Sequence, residues 1–335
     1  MNKNLRHITF GFLALLLLFM LNMSLGSVLI PLPEIINAFF DSNANEIYQV
    51  IIFDYRLPKA IAAVLVGFAL SVSGMMMQTY FRNPLAGPYV LGLSSGSSLA
   101  VALLIMGGSF FSIGVVNQWA ISLASIVGSF VLFLLIILVA KRIKQSMGIL
   151  LVGVMFSSFA GAIMSVLSFF SSAENLQKFT FWSMGSLANL TWLQIGIVTF
   201  FVLSGLSLAF MQIKTLNALL LGETYAISMG INLHKNKYVI ILATALLTGV
   251  TTAFVGPIAF VGMMVPHLVK MLFKTSQHHL IFWHALWVGG SLMLLFDMIA
   301  QLPGSSYTLP INAVTSLVGA PFVVWIILKR SKNLY

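Results

Sequence analysis

Residues 56–80 form one continuous apolar run, with Arg56 and Lys59 at its start and Arg82-Asn83-Pro84-Leu85 just beyond its end. A helix over this run rises about 37 Å, enough to cross a hydrocarbon layer roughly 30 Å thick. In lipid, every backbone N–H and C=O must be satisfied within the protein, which leaves helices and closed barrels. Barrel strands alternate apolar and polar residues over about ten positions. This run is longer and does not alternate, so the predicted class is all-α.

Similar runs recur, and the predicted spans are 8–30, 56–80, 89–108, 118–140, 148–170, 192–212, 238–256, 258–274, 281–301 and 309–329. The pair around Gly256-Pro257 reads either as two short spans or as one span and a re-entrant piece. The chain is 59% hydrophobic and 7% charged, against about 25% charged in soluble domains, so too few ionisable groups exist to cover a water-facing surface. The sequence predicts a polytopic membrane protein with about ten helices and a single permease-like domain over 1–335. The first run follows Lys3 and Arg6 and continues to about Ile30, too long for a signal-peptide core, so it is read as the first span. There is no cysteine, which excludes disulfides, iron–sulfur clusters and thiolate metal sites.

Ten spans with an internal N-terminus place every lysine and arginine on the inner side except Arg56, Lys59 and Lys178, as the positive-inside rule requires. Glu34, Asp41, Glu46, Asp54 and Glu174 fall outside. The net charge of +10 is thus topological and implies no nucleic-acid partner. Both termini are expected in the cytoplasm of a bacterial cell, with the chain in its inner membrane. Two connections are longer than the rest: a polar outer segment, 31–55, and an amphipathic inner one, 213–237, read as two short helices meeting at Gly222.

The chain has no phosphate-cradling G-x-x-x-x-G-K-[ST] and no zinc-binding H-E-x-x-H, so no catalytic or metal residue is assigned. Asp297 is the one carboxylate inside a predicted span, near its outer end. Ion-driven carriers bury such groups near the midplane, so a secondary transporter or channel is the alternative reading and a membrane-embedded enzyme a more distant one. Gly67, Ser71, Ser73 and Gly74, and Gly92 to Ser98, suit close helix packing. His278, His279 and His284 are read as an interfacial loop and His267 as a helix end. Arg56 and Lys59 read as cations snorkelling to lipid headgroups, as an Asp54–Arg56 pair, or as a docking point for an acidic outer partner.

Several motifs in order make the chain resemble the FecCD-type permease subunits of ABC importers for iron-siderophore, haem and cobalamin. They are Arg56-Leu57-Pro58-Lys59, Arg82-Asn83-Pro84-Leu85-Ala86, Leu91-Gly92-Leu93-Ser94-Ser95-Gly96, Trp182-Ser183-Met184-Gly185-Ser186, Leu221-Gly222-Glu223, Gly256-Pro257-Ile258-Ala259-Phe260-Val261-Gly262, Val265-Pro266-His267 and Gly319-Ala320-Pro321-Phe322. The resemblance implies a type II importer permease of ten helices working as a pair, expected here to be a homodimer. Its implied partners are two ATPase subunits, which carry ATP and Mg, and an extracytoplasmic binding protein; this chain itself is expected to bind no cofactor. Arg56 and Lys59 take the family's docking role, and Gln301 stands where the family has a third arginine. Thr308-Leu309-Pro310 replaces its Glu-Leu-Pro. The loop 214–237, with Leu221, Gly222, Glu223 and Gly230, matches the coupling helices, Glu223 being placed to cap a helix start. Asn83, Leu85, Ser146 and Met147 match the cytoplasmic gate. Gly153, Ser157, Gly161 and Ser165, at helical spacing, are expected to line the pathway.

Overall fold

The computed structural model describes residues 3–40, 45–108, 117–143, 146–188, 190–301 and 307–331. Asp41, Lys144 and Lys332, used in the charge argument, lie outside them. The described elements are helical throughout: α1 (Lys3–Ser24), α2 (Leu32–Phe40), α3 (Glu46–Val50), α4 (Leu57–Tyr80), α5 (Leu93–Ile105), α6 (Gln118–Arg142), α7 (Ser146–Phe170), α8 (Ala173–Ser183), α9 (Trp192–Met211), α10 (Ile213–Leu221), α11 (Glu223–Ser228), α12 (Leu233–Val255), α13 (Val261–Phe273), α14 (His278–Ala300) and α15 (Ile311–Ser331).

Each predicted span coincides with one of these. Among the described residues, seven helices are long and apolar enough to cross a membrane, and three shorter apolar helices cover Leu93–Ile105, Val261–Phe273 and Ile311–Ile326. At 13 residues, α5 and α13 rise only about 20 Å, short of a full crossing. Glycine geometry truncates them. Gly92 adopts φ 76° and separates the 3₁₀ turn Pro88–Leu91 from α5. The predicted 258–274 span begins at Val261, because Gly256 (φ 83°) ends α12 and Phe260 (φ 65°) turns the chain into α13.

Two expectations are corrected. The outer segment 31–55 is largely helical: α3 runs through a π-helical turn, Ile51–Arg56, into α4, making one helix of 35 residues from Glu46 to Tyr80. Pro31, Pro33 and the polar run at 41–45 made the segment read as a connection. His278 and His284 do not sit in a loop. Both are buried in α14, and the His284 ring stacks on Phe273 at a centroid distance of 3.7 Å. An aromatic partner, rather than water, occupies the imidazole face.

By backbone proximity the chain forms two compact units, one of Met1–Val72, Ser186–Phe200 and Ile258–Tyr335, the other of Ser73–Gly185 and Phe201–Pro257. Small residues set helix approach in each. In the first, the Ser71 hydroxyl donates to the Ala285 carbonyl at 2.9 Å, and a Cβ on Gly67 would collide with the backbone of Gly289. Glycine and serine four residues apart thus let α4 and α14 touch backbone to backbone. In the second, a Cβ on Gly96 would lie 2.7 Å from the Gly128 carbonyl, and Ser97 donates to the Ser125 carbonyl at 3.0 Å. The buried hydroxyls of Thr244, Thr248 and Thr251 on α12 donate to carbonyls one turn back at 2.8–2.9 Å. They therefore need no partner on another helix.

Candidate functional site

At the end of the first unit that the charge bias assigns to the outside, the three expected docking residues come together, turned inward. Arg56 is 7% exposed. It donates from Nη1 to the carbonyls of Met23 (2.5 Å) and Ser24 (2.8 Å), and from Nη2 to that of Val28. The last carbonyls of a helix have no partner within it, and a cation there also meets the negative end of the helix dipole. Arg56 thus caps α1 and the turn after it, instead of pairing with Asp54. Gly26 makes room: a Cβ there would lie 2.8 Å from Arg56 Nη2.

Lys59 is three residues on, and its Nζ lies 3.0 Å from Asp297 Oδ1 and 2.5 Å from Gln301 Oε1. The other carboxylate oxygen of Asp297 accepts from Asn22 Nδ2 at 2.9 Å. The side chains of Lys59 and Asp297 are 16% and 4% exposed. Asn22, Lys59, Asp297 and Gln301 thus form one buried polar cluster joining α1, α4 and α14. Within the chain, then, each of the two cations already has hydrogen-bonding partners. Nothing in the sequence marks Asn22, and Asp297 stands out there only as the one carboxylate within a predicted span. A cation and an acid at the same membrane end were the available signal for their pairing.

In the second unit, α10 and α11 meet at Gly222 as expected. Its φ 122°, ψ 154° lies in a region open essentially to glycine alone. The two helices carry an apolar knob open to the surroundings, with Leu221 67%, Ile227 60% and Met229 60% exposed. Glu223 opens α11 as the acidic residue of its first turn. Gly230, at φ 79°, turns the chain toward α12 with open space where a Cβ would be. An open depression of about 750 Å³ brings Leu221, Gly222 and Glu223 beside Arg82 and Met147. Arg82 holds a left-handed backbone (φ 47°) and donates from Nη2 to the Leu219 carbonyl at 3.4 Å. It therefore links the turn after α4 to α10.

The sequence model of the FecCD transport family matches residues 14–329. The chain belongs to the FecCD transport family. The vitamin B12 import system permease protein BtuC of Yersinia enterocolitica is 34% identical over 284 residues, covering 84% of this chain and 83% of that protein. The BtuC of Serratia proteamaculans is 35% identical over 292 residues, 87% of this chain and 85% of that protein. An inward-facing structure of a metal-chelate type ABC transporter superposes with a TM-score of 0.85 at 27% identity, covering 97% of this chain and 99% of that one. This FecCD protein is therefore a multi-pass ABC importer permease, a non-catalytic transport component.

The residues expected at the gate and along the pathway fall into separate places. Asn83 accepts from the Leu85 backbone N–H at 2.9 Å, forming an Asx turn that leaves the Leu85 side chain exposed. Met147 is exposed at the start of α7 and lines the depression beside Gly222; the side chain of Ser146 lies outside the described residues. The α7 stripe divides. Gly153 is packed against Gly92, and Ser157 lies 2.9 Å from the Ser95 hydroxyl, so these two bind α7 to α5. Gly161 has open space where a Cβ would be, and Ser165 is exposed, its hydroxyl donating to the Gly161 carbonyl at 3.0 Å. Among the described residues, no group of three or more His, Asp or Glu is placed to hold a metal ion.

Proposed function

We propose that this FecCD permease is one half of a homodimeric channel in the bacterial inner membrane, with both termini in the cytoplasm. Two ATPase subunits carrying ATP and Mg drive it, and an extracytoplasmic binding protein loads it. The proposed cargo is a cobalamin, because relatives matching more than four-fifths of their own length are vitamin B12 import permeases. Iron-siderophores and haem are the other large metal chelates the family pattern admits.

The observation that carries the ATPase partnership is the exposed apolar knob of α10 and α11. Exposed apolar surface gathered on a rigid projection marks a protein contact, and the Gly222 joint fixes the angle between its two helices. Movement of an ATPase cleft would then reach Arg82 and Met147 through the shared depression. We assign Asn83, Leu85, Ser146 and Met147 to the inner gate. We assign the open part of α7, Gly161 and Ser165, to the pathway wall completed by the second copy, with Gly153 and Ser157 holding that wall in place. The cluster of Arg56, Lys59 and Gln301 supports the docking face from beneath rather than contacting the binding protein with free charge. The test is uptake into proteoliposomes containing the permease, its ATPase and its binding protein. ATP-dependent accumulation of cyanocobalamin, but not of ferric siderophore or haemin, is expected. Accumulation of either of the others alone would reject the cobalamin assignment, and accumulation by the permease alone without ATPase would reject the whole reading.

A further inference from the structure

We propose that the groove between α6, α9 and α12 binds an anionic phospholipid, one acyl chain filling the groove and the phosphate lying over Lys141, Arg142 and Lys235. The groove has a volume of about 140 Å³ and is lined by Ile126, Phe130 and Phe133 of α6, Phe201 of α9, and Leu242 and Ala245 of α12. Gly249 keeps its floor open, with only the Ser129 side chain near the place of a Cβ. The Ser129 hydroxyl donates to the Ile126 carbonyl at 3.0 Å, so the groove makes no demand for a polar ligand. Phe130 remains 56% exposed and Leu242 37% exposed.

The charge lies at one end. Lys237 Nζ donates to the Ala140 carbonyl at 2.6 Å, which sets the start of α12 beside the end of α6. Lys141 and Arg142 on α6 and Lys235 on α12 are exposed at that end, and neither helix contains an acidic residue. Phe133 precedes Lys141 by about 12 Å along α6, and Leu242 follows Lys235 by about 10 Å along α12. Half of a hydrocarbon layer is about 15 Å. The groove therefore lies at the depth of the distal part of a chain whose headgroup sits at the cations. An apolar slot at that depth with cations at its mouth fits an anionic lipid of the inner leaflet, which supplies both chain and phosphate.

The test uses the full-length permease in nanodiscs of mixed phosphatidylethanolamine and phosphatidylglycerol, released for native mass spectrometry. The wild type is expected to retain phosphatidylglycerol well above its bulk fraction. Lys141→Gln with Arg142→Gln should lower that retention about thirtyfold, as expected when two surface cations are lost. Ala245→Phe, which fills the groove, should lower retention of both lipids. If Ala245→Phe does not fold, the surface double variant decides. Equal retention of the two lipids by the wild type, or unchanged phosphatidylglycerol in the double variant, overturns the proposal. Unchanged retention in a folded Ala245→Phe overturns the groove as the chain site.

Discussion

Replacing Asp297 by alanine removes the counter-ion of Lys59 and the acceptor of Asn22 in one step. The ion pair is separated by 3.0 Å; at an effective dielectric constant of about 20, its Coulomb attraction is about 5.5 kcal/mol. Desolvation of the two groups opposes most of this, so the intact pair contributes little net stability, whereas an uncompensated partner costs about 3–5 kcal/mol. Lys59 keeps some solvent access, so about 3 kcal/mol is expected for Asp297→Ala in chemical unfolding of the chain in micelles. Lys59→Met with Asp297→Leu removes both charges and should recover to within about 1 kcal/mol of wild type, well below the summed cost of the two single substitutions in a double-mutant cycle. Singles that each cost under about 0.5 kcal/mol and simply add would refute the buried pair. Uptake separates this role from docking: if Lys59 contacts the binding protein directly, the stable double variant still fails to import.

Gly67→Ala, which drives a methyl group into the Gly289 backbone, should cost about 2–3 kcal/mol by overpacking, read as a lower unfolding midpoint. Gly26→Ala displaces the Arg56 guanidinium from its carbonyls and should cost about 1–2 kcal/mol, with faster amide exchange at the end of α1 as the specific sign. Gly222→Ala has space but not the backbone conformation, the nearest atom being 3.6 Å away. About 1–3 kcal/mol of local strain should reduce transport-linked ATP hydrolysis by the assembled complex while the spans stay folded. Hydrogen bonding and charge from Lys178 hold the Glu174 carboxyl below its ordinary range. Its small contribution is thus present above the unfolded carboxylate pKa and lost as pH falls through the lowered folded value. NMR titration of Lys178→Gln should return Glu174 to the ordinary value.

The membrane class, the positions of the spans and the glycine turn between α10 and α11 were legible because they depend on local properties. Apolar length, cation sidedness and a glycine between two short amphipathic segments are all visible along the chain. The helical identity of 31–55, the shortness of α5 and α13 and the burial of His278 and His284 were not. Each depends on what packs alongside: the π-turn continuing into α4, the positive-φ turns at Gly92 and Phe260, and the Phe273 ring over His284.

Arg56 and Lys59 separate the two kinds of information most clearly. The sequence by itself determined that two cations stand at the end of a membrane span against the general charge bias, and composition alone required the chain to live in lipid. Only the tertiary structure decided where those charges point. Carbonyls at the end of α1 and the Asp297 carboxylate, far away along the chain, lie within hydrogen-bonding distance. In a medium without water, a cation that reaches such partners is held by them instead of facing outward.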